Sequence, residues 1–271
     1  MRTPVVVFQA MLSLVIILSV APVFPQTGHW TDISPGGSNI QVLAISPQNP
    51  ATVYAGSYEG IFKSINNGTS WRKTTFLSYL SLHTLAVNPQ NPEIIFLGTA
   101  GSVHKSTNGG IDWSPAWSGL PVYPECTDVN ALAIDPQVPA TLYAGTCDGV
   151  FKSTNEGGNW TPAYTGLTDT TVNALAIDAQ NPSILYAGTE SGGVFKTTNG
   201  GTDWSPASTG LPNGTTVSTL VIDPHSPATL YAGTDAGVFK STDGGGAGTL
   251  PAQACQPALL PTSSLSIPRT Q

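Results

Sequence analysis

Apolar residues in this chain come in runs of four to six, with no helical stripes. In a representative stretch, Val172-Asn173-Ala174-Leu175-Ala176-Ile177 leads into the turn formers Asp178-Ala179-Gln180-Asn181-Pro182. Ile184-Leu185-Tyr186-Ala187-Gly188-Thr189 follows, closed by Glu190-Ser191-Gly192-Gly193. Val194-Phe195-Lys196-Thr197 makes a third run and Trp204-Ser205-Pro206-Ala207 a fourth. Short runs rich in β-branched and aromatic residues, punctuated by Gly, Pro, Asn and Asp, predict four antiparallel strands joined as a meander. Pro206 suits an edge strand, since proline has no N–H to give to a ladder. Past the N-terminal apolar segment, no stretch keeps a 3.6-residue period free of Gly and Pro, so no amphipathic helix is predicted.

The unit recurs. First runs begin near Ile40, Leu82, Val129, Val172 and Val217; second runs centre on Tyr54, Phe96, Tyr143, Tyr186 and Tyr231; third runs on Phe62, His104, Phe151, Phe195 and Phe239. Fourth runs begin at Trp71, Trp113, Trp160 and Trp204, in steps of 42, 47 and 44 residues. Between third and fourth runs lies a box, Ser64-x-Asn66-x-Gly68-x-x-Trp71, repeated at Ser106, Asn108, Gly110 and Trp113, at Ser153, Asn155, Gly157 and Trp160, and at Thr197, Asn199, Gly201 and Trp204. A fifth copy, Ser241-Thr242-Asp243-Gly244-Gly245, lacks its Trp. Asn or Asp at the third position closes an Asx-type turn and Gly accepts positive φ, so the box predicts a structural turn. A repeat of this length with four strands predicts an all-β fold, a β-propeller of four-stranded antiparallel blades, five in number. Trp30-Thr31-Asp32-Ile33 is an unpartnered copy of the fourth run, predicted to complete the fifth blade and close the ring. An array cut inside a repeat is the alternative.

These boxes resemble the Asp-box of sialidases, sortilin-type receptor ectodomains, xyloglucanases and photosystem II assembly propellers. The likeness covers about residues 30–245. It implies the propeller fold, with the boxes on the face away from the ligand site. Sialidases of this kind hold a carboxylate with three arginines. Here the arginines are Arg2, Arg72 and Arg269, two of them outside the repeats, so sialidase chemistry is not expected. The arginine patch of the photosystem assembly propellers is missing too. Xyloglucanases carry their acids in two seven-bladed domains around a long cleft, so their catalytic residues do not transfer to a chain this short.

Three segments follow: a signal peptide over 1–26, the propeller over 27–245, and a disordered low-complexity tail over 246–271. Arg2, the apolar stretch Val5 to Val20 and the small-x-small site Ser19-Val20-Ala21 carry the first. Pro22 disfavours cleavage at that site, which leaves a later cut or retention as an anchor. The expected location is secreted, periplasmic or cell-surface, with no membrane span beyond that possible anchor. Cys126 and Cys147 flank the first hairpin of the third repeat. If Ile134 faces about Thr141, the two cysteines meet across the hairpin end and form a disulfide, with Cys255 left over.

The net charge of −7 and pI of 4.8 exclude a nucleic-acid binder. Lys63, Lys105, Lys152, Lys196 and Lys240 share one repeat position and read as solvated or blade-packing residues, not as a catalytic amine. No His, Cys or acid shows metal-ligand spacing and no cofactor fingerprint is present, so neither a metal nor a cofactor is expected. Asp135, Asp178 and Asp223 start turns. On the opposite, loop face stand Glu59, Asp148, Glu190, Asp235, Glu125, Asp128 and Asp169; Asp128 and Asp148 are the candidate pair for glycoside hydrolysis. Gln41, His83, Asn130, Asn173 and Ser218 put one polar residue per blade on the innermost strand. They either satisfy channel water or hold a small polar ligand on the axis. A long insertion before Cys126 follows Trp117 and carries Tyr123; with Tyr58 and Tyr79, these aromatics are candidate ligand contacts. The expected function is a non-catalytic module that binds a glycan or an extracellular protein. A xyloglucanase-like glycoside hydrolase and a truncated piece of a larger propeller are the alternatives.

Overall fold

The computed structural model describes residues 31–35, 39–74, 81–121, 128–246 and 248–249. Among them every regular element is a strand, and the strands form five four-stranded antiparallel blades of a β-propeller. Blade 1 holds β1 (Ile40–Ile45), β2 (Val53–Ser57), β3 (Gly60–Ser64) and β4 (Arg72–Lys73). Blade 2 holds β5 (Leu82–Val87), β6 (Ile95–Thr99), β7 (Ser102–Ser106) and β8 (Ser114–Pro115). Blade 3 holds β9 (Val129–Ile134), β10 (Leu142–Thr146), β11 (Gly149–Ser153) and β12 (Thr161–Pro162). Blade 4 holds β13 (Val172–Ile177), β14 (Leu185–Thr189), β15 (Val194–Thr197) and β16 (Ser205–Pro206). Blade 5 holds β17 (Val217–Ile222), β18 (Leu230–Thr234), β19 (Gly237–Ser241) and β20 (Gly248–Thr249).

The predicted runs and the observed strands agree blade by blade, and the register gives the reason. In blade 4, Ala187 pairs with Phe195, and Phe195 with Pro206 at the outer edge, where a missing N–H costs no ladder bond. Strands β6, β10 and β14 are buried at every position, because each blade is sandwiched between two others. That is why they read as continuous apolar runs and not as alternating ones.

Glycine sets how closely blades approach. A Cβ on Gly145 would lie 2.6 Å from Val172, and one on Gly188 2.5 Å from Val217, so the first residue of each inner strand plugs into the glycine of the blade before it. The box turns are held as their residue types dictate. In the first, Ser64 Oγ donates to Asn66 Oδ1 at 2.9 Å, and Gly68 N donates back to Ser64 Oγ at 2.9 Å. Asn67, Gly109, Glu156, Gly200 and Gly244 hold the same place in five turns, all with φ between 56° and 74°.

In the third and fourth boxes the closing Trp ties two blades together, whereas Trp113 Nε1 donates within its own box, to the Gly110 carbonyl at 3.0 Å. Trp160 Nε1 donates to the carbonyl of Ala116 at 2.8 Å, and Trp204 Nε1 to that of Ala163 at 2.7 Å, in each case on the outer edge of the preceding blade. Tyr143 Oη and Lys152 Nζ both donate to the carbonyl of Gly200, and Tyr186 Oη and Lys196 Nζ to that of Gly244. The repeated lysines are indeed packing residues, each lying 5.3–5.8 Å from the ring centroid of its blade's second-strand aromatic. Burial, and to a lesser degree the nearby Asp135 carboxylate, pushes the Tyr143 hydroxyl up to about 12.

A further tie was not anticipated. Gln48 Nε2 reaches the carbonyls of Pro89 and Gln90, Gln90 those of Pro136 and Gln137, Gln137 those of Ala179 and Gln180, and Gln180 that of Pro224. A glutamine ladder thus runs from blade to blade along the turns after the inner strands. Its fifth place is His225.

The closing strand departs from expectation. The outer strand of blade 5 is β20, with Lys240 opposite Thr249 and Ser241 opposite Gly248, not residues 30–33. Residues 31–33 lie outside any strand and serve blade 1 instead. Trp71 Nε1 donates to the Ile33 carbonyl at 2.6 Å, and the Ile33 side chain covers Gly68. Ile33 therefore does for blade 1 what Ala116 and Ala163 do for blades 3 and 4, without ladder bonds to β19. β20 also carries the propeller past residue 245, the expected boundary. Inner strands pack in the order β1, β5, β9, β13, β17, and no comparable packing joins β17 back to β1 among the described residues.

Candidate functional site

The β2–β3 type turns and the connections between blades open on one face, which carries Trp117 and Tyr58. Trp117 follows β8 and sets its ring edge-on to His104, with centroids 5.4 Å apart at 74°. Tyr164 does the same one blade on, 5.8 Å from Phe151 at 63°. The connection after Trp117 is fixed at its stem: Leu120 N donates to the Trp117 carbonyl, Trp160 N donates to that of Ser118, and Leu120 is buried. Trp117 is nonetheless 38% exposed, and Tyr58, on the β2–β3 turn, is 60% exposed. His104 beneath Trp117 is buried, which pulls its imidazole below the usual histidine range. It is a packing residue, standing where the other four third strands carry Phe. Tyr79, Tyr123, Glu125 and Cys126 lie outside the described residues, as do Trp30, Cys255 and the signal segment 1–26.

Two acids on this face, Asp169 and Asp235, brace loops through their carboxylates. Asp169 Oδ2 accepts from Ser191 N, Ser191 Oγ and Gly192 N, and its Oδ1 accepts from Thr171 N. Burial alone would raise its pKa; these hydrogen bonds outweigh that and hold it below the ordinary carboxylate range. Asp235 Oδ1 likewise accepts from Thr216 N, and the Glu190 carbonyl takes the Thr216 hydroxyl. The proposed pair sits together at one end of blade 3. Asp128 bridges to Ala100, Asp148 N donates to Thr146 Oγ1, and Cys147 between them places its sulfur 4.0 Å from the Asp128 carbonyl oxygen. The hairpin register is Ile134 to Leu142, one residue from the expected pairing. Among the described residues, no group of three or more His, Cys, Asp or Glu is placed to hold a metal.

The polar ring is partly assembled. His83, Asn130, Asn173 and Ser218 line one cavity of about 20 Å³, while Gln41 is not among its walls. That volume suits a single water. Asn130 Nδ2 donates to the Val172 carbonyl, and His83 Nε2 meets Ser81 Oγ at 3.2 Å. Gln41 Oε1, His83 Nδ1 and Thr219 Oγ1 are buried without a partner among the described residues. At the other end the channel widens to about 340 Å³ between Leu43, Ile45, Leu85, Leu132, Leu175 and Ile222, an apolar chamber with no reactive side chain on its walls.

No protein-family model matches the chain, and no curated protein matches it. Solved structures do. An ancestral GH74 enzyme aligns at 26% identity and TM-score 0.62, over 78% of this chain and 30% of that one. A GH74 xyloglucanase from Xanthomonas campestris aligns at 18% and 0.61, over 78% and 38%. The extracellular domain of a candidate one-component system from B. thetaiotaomicron aligns at 18% and 0.58, over 81% and 28%. The chain thus spans well under half the length of each, and what they share with it is the propeller.

Proposed function

We propose that this chain is an extracellular, non-catalytic propeller that binds a glycan through the loop face bearing Trp117 and Tyr58. One observation carries this. Trp117 is fixed from below by His104 and from behind by the Trp160–Ser118 hydrogen bond, yet keeps more than a third of its surface open. A rigid, exposed aromatic offers a flat apolar surface at little entropic cost, which suits a sugar ring. Tyr79 and Tyr123, in the sequence between β4 and β5 and between β8 and β9, are further candidates for the same ligand. The likeness to glycoside hydrolases and to a sensor's extracellular domain supports a glycan over a protein ligand and an exported location. Export fits the leader over 1–26 and a Cys126–Cys147 bond tethering the loop. What supports that bond is the position of the Cys147 sulfur, 4.0 Å from the carbonyl oxygen of Asp128, a residue that follows Cys126 by two in the sequence. In this reading the box turns are Asp-boxes that build blades.

A second reading, a glycoside hydrolase, rests on Asp128 and Asp148 sharing one end of blade 3 and on the GH74 likeness. A polysaccharide panel separates the two. The binding reading expects retention of the protein on at least one polymer without release of reducing ends, with Trp117→Ala plus Tyr58→Ala weakening retention about tenfold or more at nearly unchanged melting temperature. Release that Asp128→Asn or Asp148→Asn abolishes would establish the enzyme. Neither retention nor release would refute both readings.

A further inference from the structure

The four internal blade interfaces are built from the same parts, and the two ends of the blade series each carry half of that set. On its trailing face a blade offers a glycine socket and a glutamine amide, to which blades 3 and 4 add a tyrosine hydroxyl; Tyr54 Oη of blade 1 has no hydrogen-bond partner among the described residues, and blade 2 carries Phe96 there. On its leading face the next blade offers an apolar knob, the carbonyl of the left-handed box residue and the carbonyls of the turn after its inner strand. Blades 3 and 4 show the whole set: Val172 on Gly145, Tyr143 Oη on the Gly200 carbonyl, Gln137 on the Ala179 and Gln180 carbonyls.

Blade 5 keeps the trailing half with no other blade against it among the described residues. Among the described residues, a Cβ on Gly233 would meet only its own blade's Thr219, with no residue of another blade within 4 Å. Tyr231 is 39% exposed where Tyr54, Tyr143 and Tyr186 are 1–2%, and Val238 is 60% exposed where Ile61, Val103, Val150 and Val194 are 0–4%. His225, in the glutamine's place, is an exposed side chain turned only toward its own Asp223, at 3.8 Å. Blade 1 keeps the leading half. Ile40, the equivalent of Leu82, Val129, Val172 and Val217, is half-buried where those four are 0–2% exposed. Asn67 holds the left-handed box position with φ 57°, and Pro47 stands where Pro89, Pro136 and Pro224 offer their carbonyls; both residues are exposed.

We infer that the open face of blade 5 is a docking surface for blade 1 of a second copy of this chain. Ile40 of one copy seats on Gly233 of the other, Tyr231 Oη donates to the Asn67 carbonyl, and the His225 ring donates to the Pro47 carbonyl. The contact is head-to-tail, because its two sides are different surfaces. It closes when two copies satisfy each other's free faces and otherwise continues copy by copy. The occupant is specified by the molecule itself: the internal interfaces cover Tyr, Val and Gly at these positions with a blade of this same repeat and nothing else.

The test is sedimentation velocity of the full chain over a concentration series, with the melting temperature of each variant measured in parallel. The wild-type chain is expected to associate with rising concentration. Val238→Lys spoils only the trailing face and Ile40→Lys only the leading face. Each alone is expected to raise the dissociation constant about tenfold or more by forcing an unpaired charge into the contact. Mixing the two variants restores one good contact, Ile40 of the first on Val238 of the second, and gives a 1:1 pair that does not grow. Three results would overturn the proposal: a wild-type chain that stays monomeric at every concentration, association that neither substitution weakens, or a monomer whose melting temperature Val238→Lys lowers sharply. The last would mean that the face is covered within one chain. Val238 is exposed, so its variant folds whether or not Ile40→Lys does.

Discussion

Blades 4 and 5 share a second strand of identical sequence, Leu-Tyr-Ala-Gly-Thr, and nearly identical third strands. In blade 4 the second strand is buried throughout; in blade 5 its Tyr is exposed, and its Gly and Thr are half-buried. The same residues are core in one place and surface in the other. In this fold burial belongs to the position in the series of blades, because each sheet face is covered by the next blade and not by its own chain neighbours. A tyrosine hydroxyl that reaches a carbonyl across the interface at residue 186 has, at residue 231, no described blade to reach.

The comparison can be broken most forcefully at the interface itself. Trp160→Ala removes a fully buried indole that bridges blades 2 and 3 and is expected to cost ~3–5 kcal/mol, a loss on the order of 10 °C in a thermal melt. Val194→Lys places a charge where the side chain is 4% exposed and should cost about 3 kcal/mol or more. Val238→Lys, the same change one blade on, should stay within about 0.5 kcal/mol in dilute solution. Chemical denaturation of both variants reads the contrast, and equal losses would refute it.

Smaller effects sharpen the picture. Asp169→Asn weakens the brace on residues 190–193 and is expected to cost about 1–2 kcal/mol at neutral pH. Since the folded carboxyl titrates below its unfolded value, its contribution is fully present above the unfolded pKa and is lost as pH falls through the folded one. Wild type and variant should therefore converge in acid, which melts from pH 7 down to pH 2 would show. Tyr186→Phe removes one hydrogen bond across the blade 4–5 interface, about 0.5–1.5 kcal/mol, whereas Tyr231→Phe in the dilute chain should be silent.

Much of the fold was legible because the repeat states each strand five times. Pro206 marked an outer edge, Asn66 and Gly68 marked a turn, and the strand runs fell where the ladders are. What crosses between blades was harder to read. Gln48, Gln90, Gln137 and Gln180 sit among turn formers and look like ordinary polar turn residues; only their constant place in the repeat, ended by His225, hinted at the ladder. The Trp30–Ile33 segment resembles a fourth strand in sequence, which predicted ring closure. Ile33 instead caps the box turn of blade 1, a contact that depends on which blade lies next to it. The loop face was legible in its acids and aromatics but not in their roles: nothing in the position of Asp169 announced four hydrogen bonds, and His104 beneath Trp117 reads in sequence as a substitution for Phe.

The most direct measurement is hydrogen–deuterium exchange on the full chain, comparing peptides from β14–β15 with peptides from β18–β19 at low and high protein concentration. The account predicts that β14–β15 is strongly protected at both, while β18–β19 exchanges fast in dilute solution and becomes protected only as the protein is concentrated. Equal, strong protection of both pairs at the lowest concentration would contradict it.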